Sequence, residues 1–345
     1  MNNSSVLIIY TGGTIGMVSD PETGILQPFD FDHLSSQVPE LNKFDFNLQT
    51  ISFKNPVDSS NMSPEIWKKL ANIIADNYDK FNGFVILHGT DTMAHTASAL
   101  SFIFQNLDKS IILTGSQLPI GTIRTDGKEN LITAIEIAAA TKGGRAIVPE
   151  VAIYFEYKLY RGNRASKVNA DGFDAFHSDN YPPLAEAGVN IKYNKNSIIR
   201  YPESPLIVKT DFDSNIAILK LFPGMTEQVV RSIVNTPGLK GIIMESFGSG
   251  NSTTSSWFLN CLEEAISKGI IIVNITQCGR GNVAQGKYET SRSFNKIGVV
   301  SGYDLTNEAA TAKLMFLLGQ QLSLEEIKAA FLSSICGEVT LNASY

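Results

Sequence analysis

Short unbroken apolar runs recur along this chain, and most lead through a polar turn into a stretch of helical periodicity. Val6–Tyr10, Phe84–Leu87, Ser110–Leu113 and Val151–Phe155 are such runs. Continuous apolar character of that length is the pattern of strands buried on both faces of a parallel sheet. Leu48–Phe53 alternates instead, as a half-buried strand does. Ser63–Pro64–Glu65 reads as a helix start, with a capping residue, proline at the first helical position and an acid in the first turn. Ile66–Tyr78 supplies the body of that helix. Met93–Phe104 has helical spacing without Gly or Pro, and Asn130–Ala140 is a helix expected to stop at Gly143–Gly144.

The second half repeats the alternation. Asn215–Leu219, Gly241–Glu245 and Ile270–Ile275 read as strands. Thr226–Val234, Ser255–Ile266, Asn307–Leu318 and Ser323–Leu332 read as helices, the last opened by a capping box at Ser323–Glu326. The repeated strand–loop–helix order predicts an α/β protein whose mainly parallel sheet is doubly wound, with helices on both faces. The polar stretch Ile191–Ser204 has a linker's composition. The expected division is therefore an N-terminal α/β domain over 1–190, a linker over 191–212 and a smaller C-terminal α/β domain over 213–345. Tyr157–His177 breaks the pattern. It holds Lys158, Arg161, Arg164 and Lys167 among Gly162, Asp171, Gly172 and Asp174. A long polar loop is either a solvated excursion or a functional segment.

Composition narrows the classes. The chain has 345 residues, 43% hydrophobic and 18% charged, which is ordinary for globular proteins and long enough for two domains. With 28 basic and 34 acidic residues the net charge is −6, and no basic block stands out, so nucleic acid is not an expected partner. Cys261, Cys278 and Cys336 form neither a zinc pattern nor a disulfide framework, which fits a reducing compartment. The first residues lack the charged and apolar regions of a signal peptide, and no apolar run reaches the ~20 residues of a membrane span. A cytoplasmic location is expected.

Candidate chemistry gathers at the strand ends. After Phe84–Leu87, Gly89 permits a sharp turn, and Thr90 and Asp91 fall between a strand's carboxyl end and a helix start. Ligands of open α/β sheets bind there. A hydroxyl beside a carboxylate suits catalysis, and it equally suits plain capping by Asp91 or Thr92. The loop Thr11–Gly16 (TGGTIG) follows the first strand. It is not a Walker A loop, and its glycines lack the dinucleotide spacing. Asp58 and Ser59 follow the Leu48–Phe53 strand, and Ser116 follows the Ser110–Leu113 strand. A threonine hydroxyl needs a base before it attacks. Lys167 is one candidate base and His88 its rival, since His88 and Thr90 lie two apart, although a histidine ending a buried strand is more often a hydrogen-bonded structural group. His33, His88, His95 and His177 are dispersed, so no metal site is expected. Ser246–Asn251 (SFGSGN) before a helix reads as an anion loop or as a Gly-rich connection.

Tyr10–Met17 (YTGGTIGM) and His88–Ala94 (HGTDTMA) resemble the two active-site signatures of bacterial L-asparaginases, most closely the cytoplasmic type I branch. The resemblance continues through Thr114–Gln117, Tyr160–Arg164, Ala170–Phe176 and Asn274–Cys278, in order and over nearly the whole chain. It implies an amidohydrolase that converts L-asparagine to L-aspartate and ammonia through a threonine nucleophile and an acyl-enzyme, without a cofactor. Thr14 matches the mobile-loop threonine that attacks. Thr90, Asp91 and Lys167 match the groups that activate the chemistry. Asp58 and Ser59 match the pair that holds the amino-acid end of the substrate, with Asp91 as a further acceptor for its ammonium and Gly89–Thr90 as amide donors for the oxyanion. The resemblance also implies a larger N-terminal and a smaller C-terminal α/β domain, associated as a homodimer or a dimer of dimers.

Two positions depart from the family pattern. Members often carry a tyrosine about ten residues after the first threonine; here Gly24–Ile25–Leu26–Gln27 stands there. Some type I enzymes have an asparagine effector site that uses an arginine where this chain has Glu245, while Cys278 matches the effector-site cysteine. Two other readings remain: the asparaginase-like subunit of a tRNA-dependent amidotransferase, disfavoured because the first strand starts at Val6, and a non-catalytic small-ligand-binding α/β protein.

Overall fold

The computed structural model describes residues 4–19, 26–28, 38–286 and 289–341, and the chain divides into two units, Met1–Thr210 and Asp211–Tyr345. In the first unit one sheet contains β1 (Ser5–Tyr10), β2 (Asn47–Ser52), β3 (Gly83–Leu87), β4 (Ser110–Thr114), β5 (Val151–Phe155), β6 (Lys158–Arg161), β7 (Ala185–Glu186) and β8 (Lys192–Tyr193), in the order β8-β7-β6-β5-β4-β3-β1-β2. Strands β2, β1, β3, β4 and β5 run parallel. Strands β6, β7 and β8 each pair antiparallel with the preceding one.

This order creates the site's location. From β1 the chain passes to β2 on one side, then through helix α1 (Pro64–Asp76) to β3 on the other side. The strand order therefore reverses at β1, and the carboxyl ends of β1 and β3 flank a topological switch point. Val6, Ile8, Tyr10, Val85, Leu87 and Ile112 pack in one cluster with Leu131, Ala134, Ile135 and Ala138 of α3 (Gly127–Ala139). The alternate residues Leu7, Ile9, Phe84 and Ile86 are buried too and face the other side of the sheet. Both faces are covered, which is why these strands read as unbroken apolar runs. Helix α2 (Met93–Ile103) buries every residue except His95, so it lies inside the unit.

Local readings differ from the structure at several places. Gly143–Gly144 do not end α3, which closes at Ala139; they form the turn between Thr141–Lys142 and Arg145–Ala146, with φ of 62° and 79°. Two consecutive positive φ values suit a two-residue hairpin turn, for which paired glycines are equally apt. Tyr157–His177 is not one loop. It contains β6 and an antiparallel pairing of Ser166–Lys167 with Phe176–His177. The β5–β6 turn is built by Glu156 and Tyr157 at φ 46° and 64°, a turn whose residues carry no glycine signal. Neither Asp91 nor Thr92 caps α2 with its side chain. Within the stretch read as a linker, Lys192–Tyr193 joins the main sheet and Ile207–Val208 pairs with Phe104–Gln105.

The second unit has a parallel sheet in sequential order: β9 (Ile216–Lys220), β10 (Gly241–Ser246), β11 (Ile271–Thr276) and β12 (Val300–Ser301). Leu219, Ile242, Met244 and Ile272 pack with Val230 and Val234 of α4 (Glu227–Val234) and with Phe258 and Leu262 of α5 (Ser256–Ser267). After α6 (Glu289–Ile297) and α7 (Asn307–Gly319), α8 (Leu324–Phe331) begins with the expected capping box between Ser323 and Glu326. Lys313 and Glu338 form a fully buried ion pair at 2.6 Å. The Nζ of Lys313 also donates to the Ser333 carbonyl at 2.8 Å. Burial opposes ionisation of Glu338, but the Lys313 ammonium and the Cys336 and Ile335 amides outweigh it and hold the carboxyl below its usual range. Among the described residues no helix is long and apolar enough to cross a membrane.

Candidate active site

The loop after β1 is shaped by two glycines. Thr11 is tied to the Leu87 carbonyl through its amide and its hydroxyl, each at 3.0 Å. Gly12 and Gly13 follow at φ 138° and 93°. A Cβ at Gly12 would sit 2.1 Å from the Val57 carbonyl oxygen, and one at Gly13 would sit 2.4 Å from the Gly89 nitrogen. Only a residue without a side chain lets this loop lie against main chain on both flanks. Thr14 then opens a short 3-10 turn, Thr14–Gly16, and is half-buried. Tyr10 supports the turn, donating its hydroxyl to the Gly16 carbonyl at 3.2 Å. Burial pushes the Tyr10 phenol up to about 12, so it stays protonated and can donate. Gly24 and Ile25, where the family's tyrosine would fall, lie outside the described residues.

Thr90 and Asp91 stand at the end of β3, and Lys167 reaches both. Its Nζ donates to Thr90 Oγ1 at 2.9 Å and to Asp91 Oδ1 at 2.5 Å. The side chain of Asp91 is 66% exposed and that of Lys167 17%, so the carboxylate opens to solvent while the ammonium is sheltered. The hairpin of Ser166–Lys167 with Phe176–His177 holds Lys167 in place, extended by Val168 N donating to the Ala175 carbonyl at 2.8 Å. A hydroxyl, a carboxylate and an ammonium joined through Lys167 can orient a nucleophile and stabilise charge that develops beside it.

Asp58 and Ser59 border the same crevice, because Val57 N donates to the Thr11 carbonyl at 2.8 Å. Asp58 Oδ1 accepts from the hydroxyl and the amide of Ser60, at 2.7 and 2.9 Å. These two bonds lower the Asp58 pKa and keep the group ionised. Ser59 is buried, and its carbonyl accepts the Thr92 hydroxyl at 2.6 Å. A Cβ on Gly89 would meet Ser59 Oγ at 2.6 Å, so Gly89 is the opening through which Ser59 approaches β3. The structure thus brings Thr14's loop, Asp58–Ser59 and Gly89–Asp91 to one edge, with Lys167 arriving from a later hairpin.

Two other sequence candidates turn away. His88 is fully buried, its Nδ1 2.6 Å from the Gly89 carbonyl and its Nε2 2.9 Å from Thr96 Oγ1. Trp67 Nε1 donates to the same Thr96 hydroxyl at 3.0 Å. Burial pushes the imidazole pKa down to about 4. His88 is a neutral structural group and not the base, because both ring nitrogens are engaged away from Thr90. Ser116 is buried and donates to the Leu118 carbonyl, which closes its own loop. The loop Ser246–Asn251 closes as well: Phe247 and Asn251 exchange amide–carbonyl bonds at 2.9 and 2.8 Å, and Gly250 N donates to Phe247 O. The amides of Phe247, Gly250 and Asn251 are thereby engaged within the loop.

Gln117, three residues beyond the end of β4, carries no role in the sequence reading. Gln117 Nε2 donates to the Gly172 and Ala170 carbonyls at 2.9 and 3.2 Å, and Oε1 accepts the Thr90 hydroxyl at 3.3 Å. Nothing in a single Gln at a strand end announces such contacts. Asn169 shapes the hairpin tip by accepting from the Asp171 and Gly172 amides at 3.0 and 2.9 Å. In the second unit the Glu245 carboxylate accepts from Asn307 Nδ2 at 2.5 Å and pairs with Lys220 at 3.3 Å. Cys278 is exposed.

Known proteins are similar to this chain over nearly its whole length. The family description "Asparaginase, N-terminal" matches residues 5–199, and "Glutaminase/Asparaginase C-terminal domain" matches residues 215–331. The chain is 42% identical to L-asparaginase 1 of Escherichia coli K12 over 341 residues, covering 99% of both chains. It superposes on L-asparaginase I of Vibrio cholerae with a TM-score of 0.90 at 40% identity, covering 98% of this chain and 100% of that one. It is 34% identical to a glutamyl-tRNA(Gln) amidotransferase chain of Thermococcus kodakarensis, matching 97% of this chain but 76% of that relative.

Proposed function

The chain belongs to the asparaginase family and is an L-asparaginase, and from this premise we propose how its side chains act on the amide of L-asparagine. The observation that carries the reading is the contact of Lys167 with both Thr90 and Asp91 at the switch point of the sheet. The substrate's ammonium pairs with the Asp91 carboxylate, aided by Asp58, whose Ser60 bonds keep it charged. Ser59 and nearby amides receive the α-carboxylate. The side-chain amide then lies between the Thr14 turn and Thr90.

Thr14 is the first nucleophile, because its Gly-rich loop can bring a hydroxyl to the amide carbon while covering it. Attack forms a bond from Thr14 Oγ to that carbon, with the oxyanion facing the Gly89–Thr90 amides. The hydroxyl proton passes to the amide nitrogen, the C–N bond breaks and ammonia leaves an ester on Thr14. Water, oriented by Thr90 with Lys167, attacks the ester, returns a proton to Thr14 and releases L-aspartate. The same reading makes the protein a cytoplasmic homo-oligomer. Ammonia release measured over asparagine concentration, with glutamine in parallel, tests it; no release from asparagine defeats it. The amidotransferase reading has less support, since identity and coverage are both lower for that relative than for L-asparaginase 1 of Escherichia coli.

A further inference from the structure

We propose that Gln117 is a positioning residue for this reaction: it fixes the direction of the Thr90 hydroxyl and clamps the hairpin that carries Lys167. The proposal rests on the reading of Thr90 and Lys167 as groups beside the reacting atoms.

Which end of the Gln117 side chain donates and which accepts follows from its neighbours. Two carbonyl oxygens, those of Ala170 and Gly172, lie 3.2 and 2.9 Å from one end of the Gln117 side chain. Carbonyls only accept, so that end must be the NH2 group, which has two hydrogens to give. Rotating the amide by half a turn would set an oxygen against two oxygens and leave the NH2 with a hydroxyl alone. The orientation is therefore determined by its neighbours. Oε1 faces Thr90 Oγ1, and since an amide oxygen only accepts, the Thr90 hydroxyl must donate to it. A hydroxyl has one proton. With that proton turned to Gln117, Thr90 presents lone pairs to Lys167, whose Nζ donates to it at 2.9 Å, and to the crevice. Thr90 is thereby held as an acceptor toward an incoming water.

The same amide acts mechanically. The stretch from Asn169 to Gly172 is the tip of the hairpin whose stem holds Lys167, and Gln117 bonds its two carbonyls to the end of β4. The clamp has a firm base, because Asp126 accepts the Gln117 amide at 2.9 and 3.1 Å and the Leu118 amide at 3.1 Å. Asn130 Nδ2 bonds the Asp126 carboxylate at 3.3 Å and the Gly115 carbonyl at 3.1 Å. A side chain anchored in this way keeps its two functions coupled: where Gln117 moves, the Thr90 proton and the Lys167 hairpin move together.

Two variants separate the functions. Gln117→Met keeps the length and removes both sets of bonds. Gln117→Glu keeps an acceptor for Thr90 and replaces the donor with a charge facing two carbonyls. Steady-state kinetics with asparagine and hydrogen exchange of residues 168–176 are measured on both and on the parent enzyme. For Gln117→Met the expected result is a kcat about 10- to 100-fold lower, with KM within about threefold and an unchanged melting temperature, and faster exchange in the hairpin. Gln117→Glu should exchange as fast or faster there and retain more kcat than Gln117→Met. A Gln117→Met enzyme with parental kcat, or with unchanged hairpin exchange, overturns the proposal. So does a loss confined to KM or accompanied by a fall in melting temperature, which would indicate substrate binding or general destabilisation. An inactive parent enzyme would defeat the asparaginase reading instead, while exchange would still decide whether Gln117 clamps the hairpin.

Discussion

Lys167 Nζ meets Thr90 Oγ1 at 2.9 Å, although 77 residues separate them along the chain. The contact exists because the antiparallel pairing of Ser166–Lys167 with Phe176–His177 returns the chain to the end of β3. Lys167→Met keeps most of the apolar stem and removes the ammonium. Turnover of asparagine is expected to fall at least ~100-fold, the scale for losing a positioned acid–base group, with the circular dichroism spectrum unchanged. A folded variant with near-normal turnover would remove Lys167 from the mechanism.

The Thr14 assignment is tested by a change of nearly equal shape. Thr14→Val removes the hydroxyl, so aspartate binding should survive while turnover falls by several orders of magnitude. Trapping the parent enzyme with a reactive asparagine analogue and sequencing the labelled peptide by mass spectrometry decides between the two threonines. Label on the Thr14 peptide supports the assignment, and label confined to the Thr90 peptide reverses the roles.

His88 makes stability depend on pH. Its folded pKa is depressed to about 4 from 6.5, so between those values the unfolded chain binds a proton that the folded one does not. Stability is therefore fully present above pH 6.5 and falls as pH drops toward 4, by roughly 3 kcal/mol from this group. Glu338 acts in the same direction at lower pH, because its depressed pKa adds stability that is lost as the carboxyl is protonated. Urea denaturation at pH 7.5, 6, 5 and 4.5 measures the fall, and His88→Gln should flatten it above pH 5. A parental stability that is constant from pH 7.5 to 4.5 would contradict the buried neutral imidazole.

The pair Lys313–Glu338 is completely buried, so removing one partner leaves the other charge without compensation. Lys313→Met is expected to destabilise the second unit by about 3–5 kcal/mol. Adding Glu338→Gln should recover part of that loss. A double variant less stable than Lys313→Met alone would show that the cost lies in packing instead of charge.

Regulation offers a further test. Glu245, which the family resemblance aligns with an effector-binding arginine, already engages Asn307 and Lys220, and its acid repels a carboxylate. Asparagine saturation is expected to be hyperbolic. A sigmoidal curve abolished by Glu245→Gln or by Cys278→Ser would contradict this.

Much of the first unit was legible because its strands are buried on both faces, which leaves unbroken apolar runs such as Phe84–Leu87. The switch-point edge was equally legible, since Thr14, Asp58, Ser59, Thr90 and Asp91 all follow strand patterns. The Lys167 hairpin was not: its stem has only two residues on each side, too few for any periodicity, and the preceding turn uses Glu156 and Tyr157 in place of glycine. His88 takes the hydrogen-bonded structural role usual for a histidine that ends a buried strand; the rival reading from a spacing of two fails because the strand ends at Leu87 and the imidazole turns inward to Thr96. Gln117 was invisible because its role depends on partners 27 and 55 residues away.

The contact of Gly13 with Gly89 has a consequence for how this enzyme can be altered. The closest approach of the loop carrying Thr14 to the strand end carrying Thr90 is limited by backbone against backbone, with no rotamer in between. It is a hard stop: thermal jostling of side chains does not blur it, and repacking of the core behind it is poorly transmitted. Substitutions among the side chains that touch substrate can then retune selectivity without disturbing the spacing of the two hydroxyls. One methyl group at position 13, by contrast, acts as a wedge, separating them while leaving every catalytic side chain chemically unchanged.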